Sequence, residues 1–338
     1  MEDQVQHKVS IIIPHYNNYS IIDECLKSLK KISYKNIEII VVDNNSEDNS
    51  LLLLTENHRD IIIQKSKTNL GYAGGCNLGA EIATGEYLLF LNNDTIHNED
   101  FLDKLVEVLD NNQEIACVQP KIKNYDNKEY FDYAGASGGF IDYLVYPFCR
   151  GRIFDTIEKD YGQYNEEKEV FWTSGSCMMI RSNLFHKLNG FDKDFFAHME
   201  EIDLCWRIKR KGFINYCIPK SVIYHVGGET LSYLNPKKTY LNFRNNLIMI
   251  SKNDRFINLL YKIPSRLILD IFAAIKILIN KKSISHFTSI LRAYLSFITF
   301  LPVIFFKKRN NKLNYIKLKN LIIPFEYFIR GKKRFSDL

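Results

Sequence analysis

Short apolar runs and amphipathic stretches follow one another along the first half of the chain. Val9 to Ile13 is a β-branched run stopped by Pro14, and Ile37 to Val42 and Ile61 to Gln64 repeat the pattern. Runs this short and β-branched predict strands. Between them, Ile21, Ile22, Cys25, Leu26 and Leu29 recur at helical spacing behind Ser20–Asp23, which reads as a capped helix start. Glu47 to His58 is helical in pattern as well. Leu88 to Leu91 is apolar throughout and ends abruptly in Asn92, Asn93 and Asp94. That is the pattern of a strand buried on both faces that delivers polar residues to a sheet edge. Asn98 to Asn111 turns Phe101, Leu102, Leu105, Val106 and Leu109 to one side, and Ile115 to Gln119 predicts another strand. The alternation predicts an α/β fold, a mostly parallel sheet flanked by helices.

The second half is less regular. Residues 124–165 are rich in Gly, Tyr and Asp and poorly periodic, a long loop region whose aromatics either stack on a ligand ring or pack beneath the loop. A strand is predicted from Ser176 to Ile180, a short helix from Ser182 to Gly190, a helix from Glu200 to Lys211, a strand ending at His225 before Gly227 and Gly228, and a helix from Tyr240 to Asn253. Beyond it lie two apolar stretches: Leu267 to Ile279, interrupted by Asp270 and Lys276, and Ala293 to Phe306, broken by Pro302 and closed by Lys307, Lys308 and Arg309. Neither reaches the roughly 20 uninterrupted apolar residues of a spanning helix. Short apolar helices flanked by basic residues suit attachment in the plane of an anionic leaflet. Packing on the catalytic body, or a homodimer contact, are the other readings.

Charge sharpens that division. The net charge of +6 conceals 18 Lys and Arg against 4 Asp and Glu from Ser251 onward, joined to an acidic remainder. Such a split points to an anionic partner for the C-terminal region. No nucleic-acid module accompanies it, so nucleic acid is not the expected partner. The boundaries that follow are a domain over residues 1–250 and a basic amphipathic helical extension over 251–338. Seven scattered cysteines without a CxxC pair predict buried thiols, neither a disulfide frame nor a zinc site. The polar N-terminus has no signal-peptide pattern, and a cytoplasmic, membrane-peripheral location is expected.

Three clusters carry candidate chemistry. Asp94 beside two amides is oxygen-rich, suited to a hard divalent cation and phosphate oxygens, or else to an Asx-rich turn. Asn69 to Gly79 holds four glycines in nine residues. They either let a helix opening near Gly74 point N–H groups at a phosphate, or allow tight helix packing. Glu200, Glu201 and Asp203 crowd the first turn of a helix. There they either complement its dipole or supply a general base. His225 at a strand end is placed to ligate, and Arg244 to meet an anion.

Taken in order, VSIIIPHYNN, VVDNNSEDNS, NLGYAGGCNLG, ATGEYLLFLNNDT, GSCMMIRSNLF, GFDKDFFAHMEEIDLCWR, YHVGG and FRNN resemble the inverting glycosyltransferases of family 2, which have the GT-A fold. The wording is nearest to the rhamnosyltransferase-like branch, and the resemblance covers about Val9 to Asn253. It implies that Pro14, Tyr16 and Asn17 hold base and ribose, that Asp43 bonds a pyrimidine, and that Asn69, Gly71, Gly74 and Asn77 line the nucleotide and donor sugar. It implies further that Asn92, Asn93 and Asp94 stand at the metal-binding DxD position, with His225 completing the shell around Mg2+ or Mn2+. Glu201 becomes the first choice of base, with Glu200 and Asp203 beside it. Two departures stand out: DxD is Asn-Asn-Asp, and the usual Glu-Asp pair is Glu-Glu. The implied partners are a UDP- or dTDP-sugar and a glycan or lipid-linked acceptor of surface polysaccharide. A catalytically silent sugar-nucleotide or glycan binder on the same fold is the rival reading. A nucleotidyltransferase lacks its Gly-rich basic loop after the first strand, and a processive synthase its QxxRW signature and spanning helices.

Overall fold

The computed structural model describes residues 6–227, 235–281, 283–309 and 314–338. Gly228 of the expected Gly-Gly turn lies outside these residues. The first half runs β1 (Val9–His15), α1 (Tyr19–Leu29), β2 (Ile37–Asp43), α2 (Ser50–Asn57), β3 (Ile62–Lys65), α3 (Gly71–Ile82), β4 (Tyr87–Leu91), β5 (Thr95–His97), α4 (Phe101–Asn111) and β6 (Ile115–Asn124). Four short strands follow, β7 (Gly139–Ile141), β8 (Pro147–Cys149), β9 (Arg152–Ile153) and β10 (Thr156–Ile157). Then come β11 (Lys168–Val170), β12 (Cys177–Arg181), α5 (Ser182–Lys187), α6 (Glu200–Arg210), β13 (Ile214–His225), α7 (Pro236–Asn253), α8 (Phe256–Lys281), α9 (Ile284–Arg309) and α10 (Ile323–Phe328).

The main sheet has the order β11-β13-β6-β12-β4-β1-β2-β3, with β5 paired to β13. β4, β1, β2 and β3 are parallel, β12 runs antiparallel between β4 and β6, and β13 returns parallel to β6. Chain order reverses around β1, which lies between β2 and β4, and at such a switch point the carboxyl ends of parallel strands open a crevice. The two-residue period of the strands sorts the core. Ile11, Ile13, Val41, Leu89 and Leu91 pack with α1 and α4 on one face, and Ile12, Ile40, Val42, Leu88 and Phe90 with α3, α5 and α6 on the other. Each fully buried Ile, Leu or Phe contributes roughly 1.5–3 kcal/mol, and a one-residue slip would turn them all to the wrong face.

α3 presses against that sheet through its glycines. A Cβ on Gly79 would stand 2.5 Å from Ile12 Cγ2 and 2.9 Å from Val42 Cγ2, and one on Gly75 would stand 2.7 Å from Asn44 Nδ2. The helix opens at Gly71, in the left-handed region at φ +69°, and not near Gly74. Gly75 and Gly79 therefore serve close helix–sheet packing, while Gly71 admits Phe196 and Gly74 admits Leu70.

Other expectations shift for local reasons. α1 starts two residues early, and its cap position is Asn18 in a left-handed conformation, not Ser20. The loop region 124–165 contains the second, antiparallel sheet β10-β9-β8-β7. Its Phe140, Phe148 and Ile153 pack with Ile323 and Tyr327 of α10. All seven cysteines are free and buried. The C-terminal region departs most: α8 and α9 are unbroken 26-residue helices that absorb Pro264 and Pro302 in their interiors. Within α9, Ile284–Ile304 is long and apolar enough to cross a membrane by length and composition. One side of it is nevertheless used by the body, because Phe297 and Ile304 belong to the same core cluster as Phe90.

Candidate active site

At the end of β4, topology brings together residues far apart in the chain. β13 pairs antiparallel with β5 so that His225 stands opposite Thr95, next to Asp94. The Asp94 carbonyl accepts from Val226 N at 2.9 Å. His225 Nε2 lies 3.2 Å from Asp94 Oδ1, an ion-pair distance without hydrogen-bond alignment, so that oxygen is buried with no hydrogen-bond partner. Asn92 Nδ2 is 3.2 Å from the same Nε2, and Asn92 N donates to Ser176 O at 3.0 Å. The other ring nitrogen, Nδ1, meets Asp132 Oδ1 at 3.0 Å. Burial alone would push the imidazole down, but Asp94 and Asp132 on either side hold it up to about 10. Burial works against ionised Asp94 too, and the adjacent imidazolium more than offsets it, leaving the carboxyl below its usual range. A buried oxygen without a hydrogen bond facing a ring nitrogen becomes a donor pair that fits a divalent cation once the ion displaces the Nε2 proton. Among the described residues no group of three His, Cys, Asp or Glu is arranged to hold a metal, so oxygens of a bound diphosphate would have to complete the shell.

The ends of β1 and β2 form the second corner. Asn17, Asn18 and Asn45 adopt left-handed φ of 56°, 65° and 64°, a conformation asparagine tolerates better than other residues with a side chain. The two loops interlock: Asn17 N donates to Ser46 Oγ at 3.0 Å, Glu47 N to Asn17 Oδ1 at 2.8 Å, and Ser46 N to buried Asp43 Oδ1 at 3.1 Å. Pro14 packs towards Gly75, Gly71 N donates to Asn69 Oδ1 at 2.9 Å, and Tyr16 is half-buried at the tip. Asn93 Nδ2 meets His15 Nδ1 at 3.0 Å. Burial lowers the His15 imidazole to about 4 against the pull of Asp43 and Asp48, so it is neutral.

The third corner is the start of α6. Glu200 is buried and Glu201 half-buried, each with an Oε2 that has no hydrogen-bond partner. Burial, then Glu201 beside it, raises the Glu200 carboxyl well above its usual range, and burial raises Glu201 to about 7. The approach to this helix is strained, with Phe196, His198 and Met199 at φ of 63°, 69° and 76°. It is tied to the rest of the site through α3: Ala73 N donates to Phe196 O at 3.1 Å, and the Tyr72 hydroxyl donates to Gly175 O.

Three expected site residues have other partners. Asp203 is fully buried between Arg207, at 2.8 Å, and Lys252 and Asn253, at 3.0 and 2.7 Å. Its carboxylate, held low by these cations against burial, is a structural hub and not a free base. Arg244 donates to Asp194 O at 2.5 Å and Asn245 Oδ1 at 2.9 Å, so its guanidinium braces the loop before α6. Asn77 uses both ends of its amide on Phe191, donating to its carbonyl at 2.8 Å and accepting from its N–H at 3.0 Å. Asp132 was not anticipated. The chain after β6 folds back along it, Lys123 bridging Phe131 and Asp132 N bonding Ile122 O at 3.0 Å, which carries that carboxylate to His225; no spacing in the sequence encodes it.

Comparison with known proteins agrees with this architecture. The family model "Glycosyl transferase family 2" matches residues 10–188, just over half of the chain. The N-acetylglucosaminyl-diphospho-decaprenol L-rhamnosyltransferase of Mycobacterium tuberculosis is 22% identical over 241 residues, 65% of this chain and 78% of that protein. The low-salt glycan biosynthesis hexosyltransferase Agl10 of Haloferax volcanii is 27% identical over 71% of this chain and 74% of its own length. Among solved structures, the mannosyltransferase PcManGT from Pyrobaculum calidifontis, in complex with GDP-Man and Mn2+, superposes with a TM-score of 0.54 at 14% identity over 87% of this chain and 88% of that one. GalNAc-T7 with UDP, GalNAc and Mn2+ gives 0.60 at 15% identity over 74% of this chain and 48% of the other. With the matched segment running from β1 to α5, the chain belongs to glycosyltransferase family 2, has the GT-A fold, and is a glycosyltransferase of glycan biosynthesis.

Proposed function

We propose an inverting, divalent-cation-dependent transfer of a hexosyl or deoxyhexosyl group, rhamnose included, from a UDP- or dTDP-sugar to a lipid-linked glycan. The observation that carries this reading is the meeting of Asp94 and His225 across the β5–β13 pair at the mouth of the β1/β4 crevice. Pro14, Tyr16, Asn17 and Asp43 form the nucleoside end, Asn69, Gly71, Asn92 and Asn93 the donor side, and Asp94 and His225 hold Mg2+ or Mn2+. That ion, when bound, neutralises negative charge gathering on the departing diphosphate. Glu201, with a raised pKa, takes the proton of the acceptor hydroxyl as it attacks the anomeric carbon, and Glu200 stays protonated beside it. A single displacement inverts the anomeric centre without a covalent enzyme intermediate. Donor turnover is measured with and without Mn2+ in wild type and Asp94→Ala, after a thermal-shift screen of nucleotide sugars. Wild type should turn over the donor only with the ion, and the variant should lose about 10²-fold or more. A donor bound but never turned over would favour a silent binding protein.

The same proposal seats the enzyme on an anionic bilayer. Ile268, Phe272, Ile275 and Ile279 of α8 recur along one helical face and are exposed, as are Leu295 and Ile298 of α9. Basic residues outnumber acidic ones 18 to 4 from Ser251 onward, complementary to acidic headgroups. Flotation with vesicles of phosphatidylglycerol and phosphatidylcholine at low salt should carry the protein upward. A dimer in solution that leaves vesicles alone would assign the face to a second copy instead.

A further inference from the structure

We propose that Asp132 is a positioning residue for the cation site, fixing the His225 ring so that its Nε2 lone pair serves the ion. The inference rests on the metal reading of Asp94 and His225 and adds a residue to it. His225 has two ring nitrogens with different neighbours: Nε2 on the Asp94 side at 3.2 Å and Nδ1 on the Asp132 side at 3.0 Å. A ligating imidazole keeps one proton: the cation displaces the other from the imidazolium, and whichever nitrogen keeps its proton leaves the other as the ligand. Asp132 decides the matter, because an acceptor at Nδ1 keeps the proton there and turns the Nε2 lone pair to the Asp94 side, where the Asn92 amide also lies at 3.2 Å and would give way to the ion.

The carboxylate is itself held for this task. Asp132 is buried, its Oδ1 also accepts from Ala134 N at 2.7 Å, and its backbone N–H is tied to Ile122 O at 3.0 Å. The neighbouring Ala134 carbonyl accepts from the Ser174 hydroxyl, so the turn cannot swing away from the sheet. A carboxylate behind a ligating imidazole raises the basicity of the ring and restricts its rotation, and losing such a partner typically weakens metal binding by about 10–100-fold. The effect is expected to be large here, because Asp94 is a single carboxylate that follows the amides Asn92 and Asn93 and the ring must supply much of the protein's share of the binding.

Manganese(II) is titrated by electron paramagnetic resonance in the presence of whichever of UDP, dTDP or GDP raises the melting temperature. Wild type, Asp132→Asn and Asp132→Ala are compared, with nucleotide affinity measured separately in chelator. Asp132→Asn keeps an oxygen for Nδ1–H and Ala134 N–H but loses the charge, so Mn2+ should bind about 10-fold more weakly; Asp132→Ala should lose up to about 100-fold. Metal-free nucleotide affinity should stay unchanged in both. Mn2+ affinity within about twofold of wild type in Asp132→Asn would overturn the role of Asp132 alone. An equal fall in metal-free nucleotide binding would also overturn it, by making Asp132 a mere shaper of the pocket. A wild-type protein that takes up no Mn2+ with nucleotide would remove the cation site itself, and the inference with it.

Discussion

Glu200 and Glu201 are neighbours at the start of α6, but their surroundings hold them in different states. Glu200 is pressed into the α3 side near Tyr72 and Cys76, where burial and the neighbouring Glu201 keep it protonated. Glu201 is half-buried and titrates near 7. A base must be ionised, so turnover should rise with pH through about 7 in a rate profile of the free enzyme. Stability runs the other way. The folded pKa lies above the unfolded value of 4.5, so the folded protein binds the extra proton, and stability is lost as pH rises from about 4.5 through 7. Glu201→Gln removes the buried charge. It should melt a few degrees higher than wild type at pH 8 while losing about 10²–10⁴ in kcat. A variant with unchanged kcat would move the base elsewhere.

At the scale of elements, α7 is what holds the strained approach to α6. Asn245 Nδ2 lies 2.8 Å from each of the Phe195, Ala197 and His198 carbonyls, and Lys252 joins Asp192 to Asp203 at 2.6 and 3.0 Å. Non-glycine residues in left-handed conformations cost of order 1–3 kcal/mol each and persist only where contacts enforce them. Asn245→Ala should therefore cost about 1–3 kcal/mol in urea unfolding. It should also lower kcat more than donor affinity, since the loop carries the base and not the nucleoside pocket. Packing of α3 is tested separately. Gly79→Ala puts a methyl 2.5 Å from Ile12 Cγ2, which should destabilise the protein by about 1–3 kcal/mol through displacement of the helix from β1 and β2.

For the whole molecule, the C-terminal hairpin is structurally part of the catalytic body. Arg266 of α8, fully buried, donates to Asn246 Oδ1 at 2.6 Å and to the Leu144 and Val145 carbonyls at 3.2 and 3.3 Å. Asp270 beside it accepts from the Tyr146 and Tyr294 hydroxyls at 2.7 and 2.8 Å. These contacts join α8, α9 and α7 to the β7–β8 connection of the small sheet. Arg266→Ala strands a buried carboxylate and several carbonyls, and should cost about 3–5 kcal/mol in denaturant unfolding. On the outer side of α8, Phe272→Glu should leave turnover of a soluble acceptor intact and reduce vesicle flotation several-fold. Unchanged flotation would place the membrane contact elsewhere.

The sequence by itself determined most strands of the main sheet, β1 to β4, β6, β12 and the end of β13, but not β5, β11 or the small sheet. Apolar runs buried on both faces, such as Leu88 to Leu91, are unambiguous, because a short hydrophobic segment ended by polar residues has few other places to go. The ordered motif blocks carried the family, and Asn92 to Asp94 could be located at a strand end from pattern alone. Partnerships across the fold were decided only by tertiary structure. Asp203, Arg244 and Asn77 are polar residues inside motif blocks, and nothing local tells whether such a group faces a ligand or a neighbouring carbonyl. Asp132 is the converse case, an acid in an aperiodic stretch that the chain folding back after β6 brings to His225 from 93 residues away. The continuity of α8 and α9 through their prolines was equally invisible, because packing on α7 offsets the lost backbone hydrogen bond. Local pattern reports where a residue would rather be, water or core; which two buried polar groups meet depends on chain crossings that pattern does not contain.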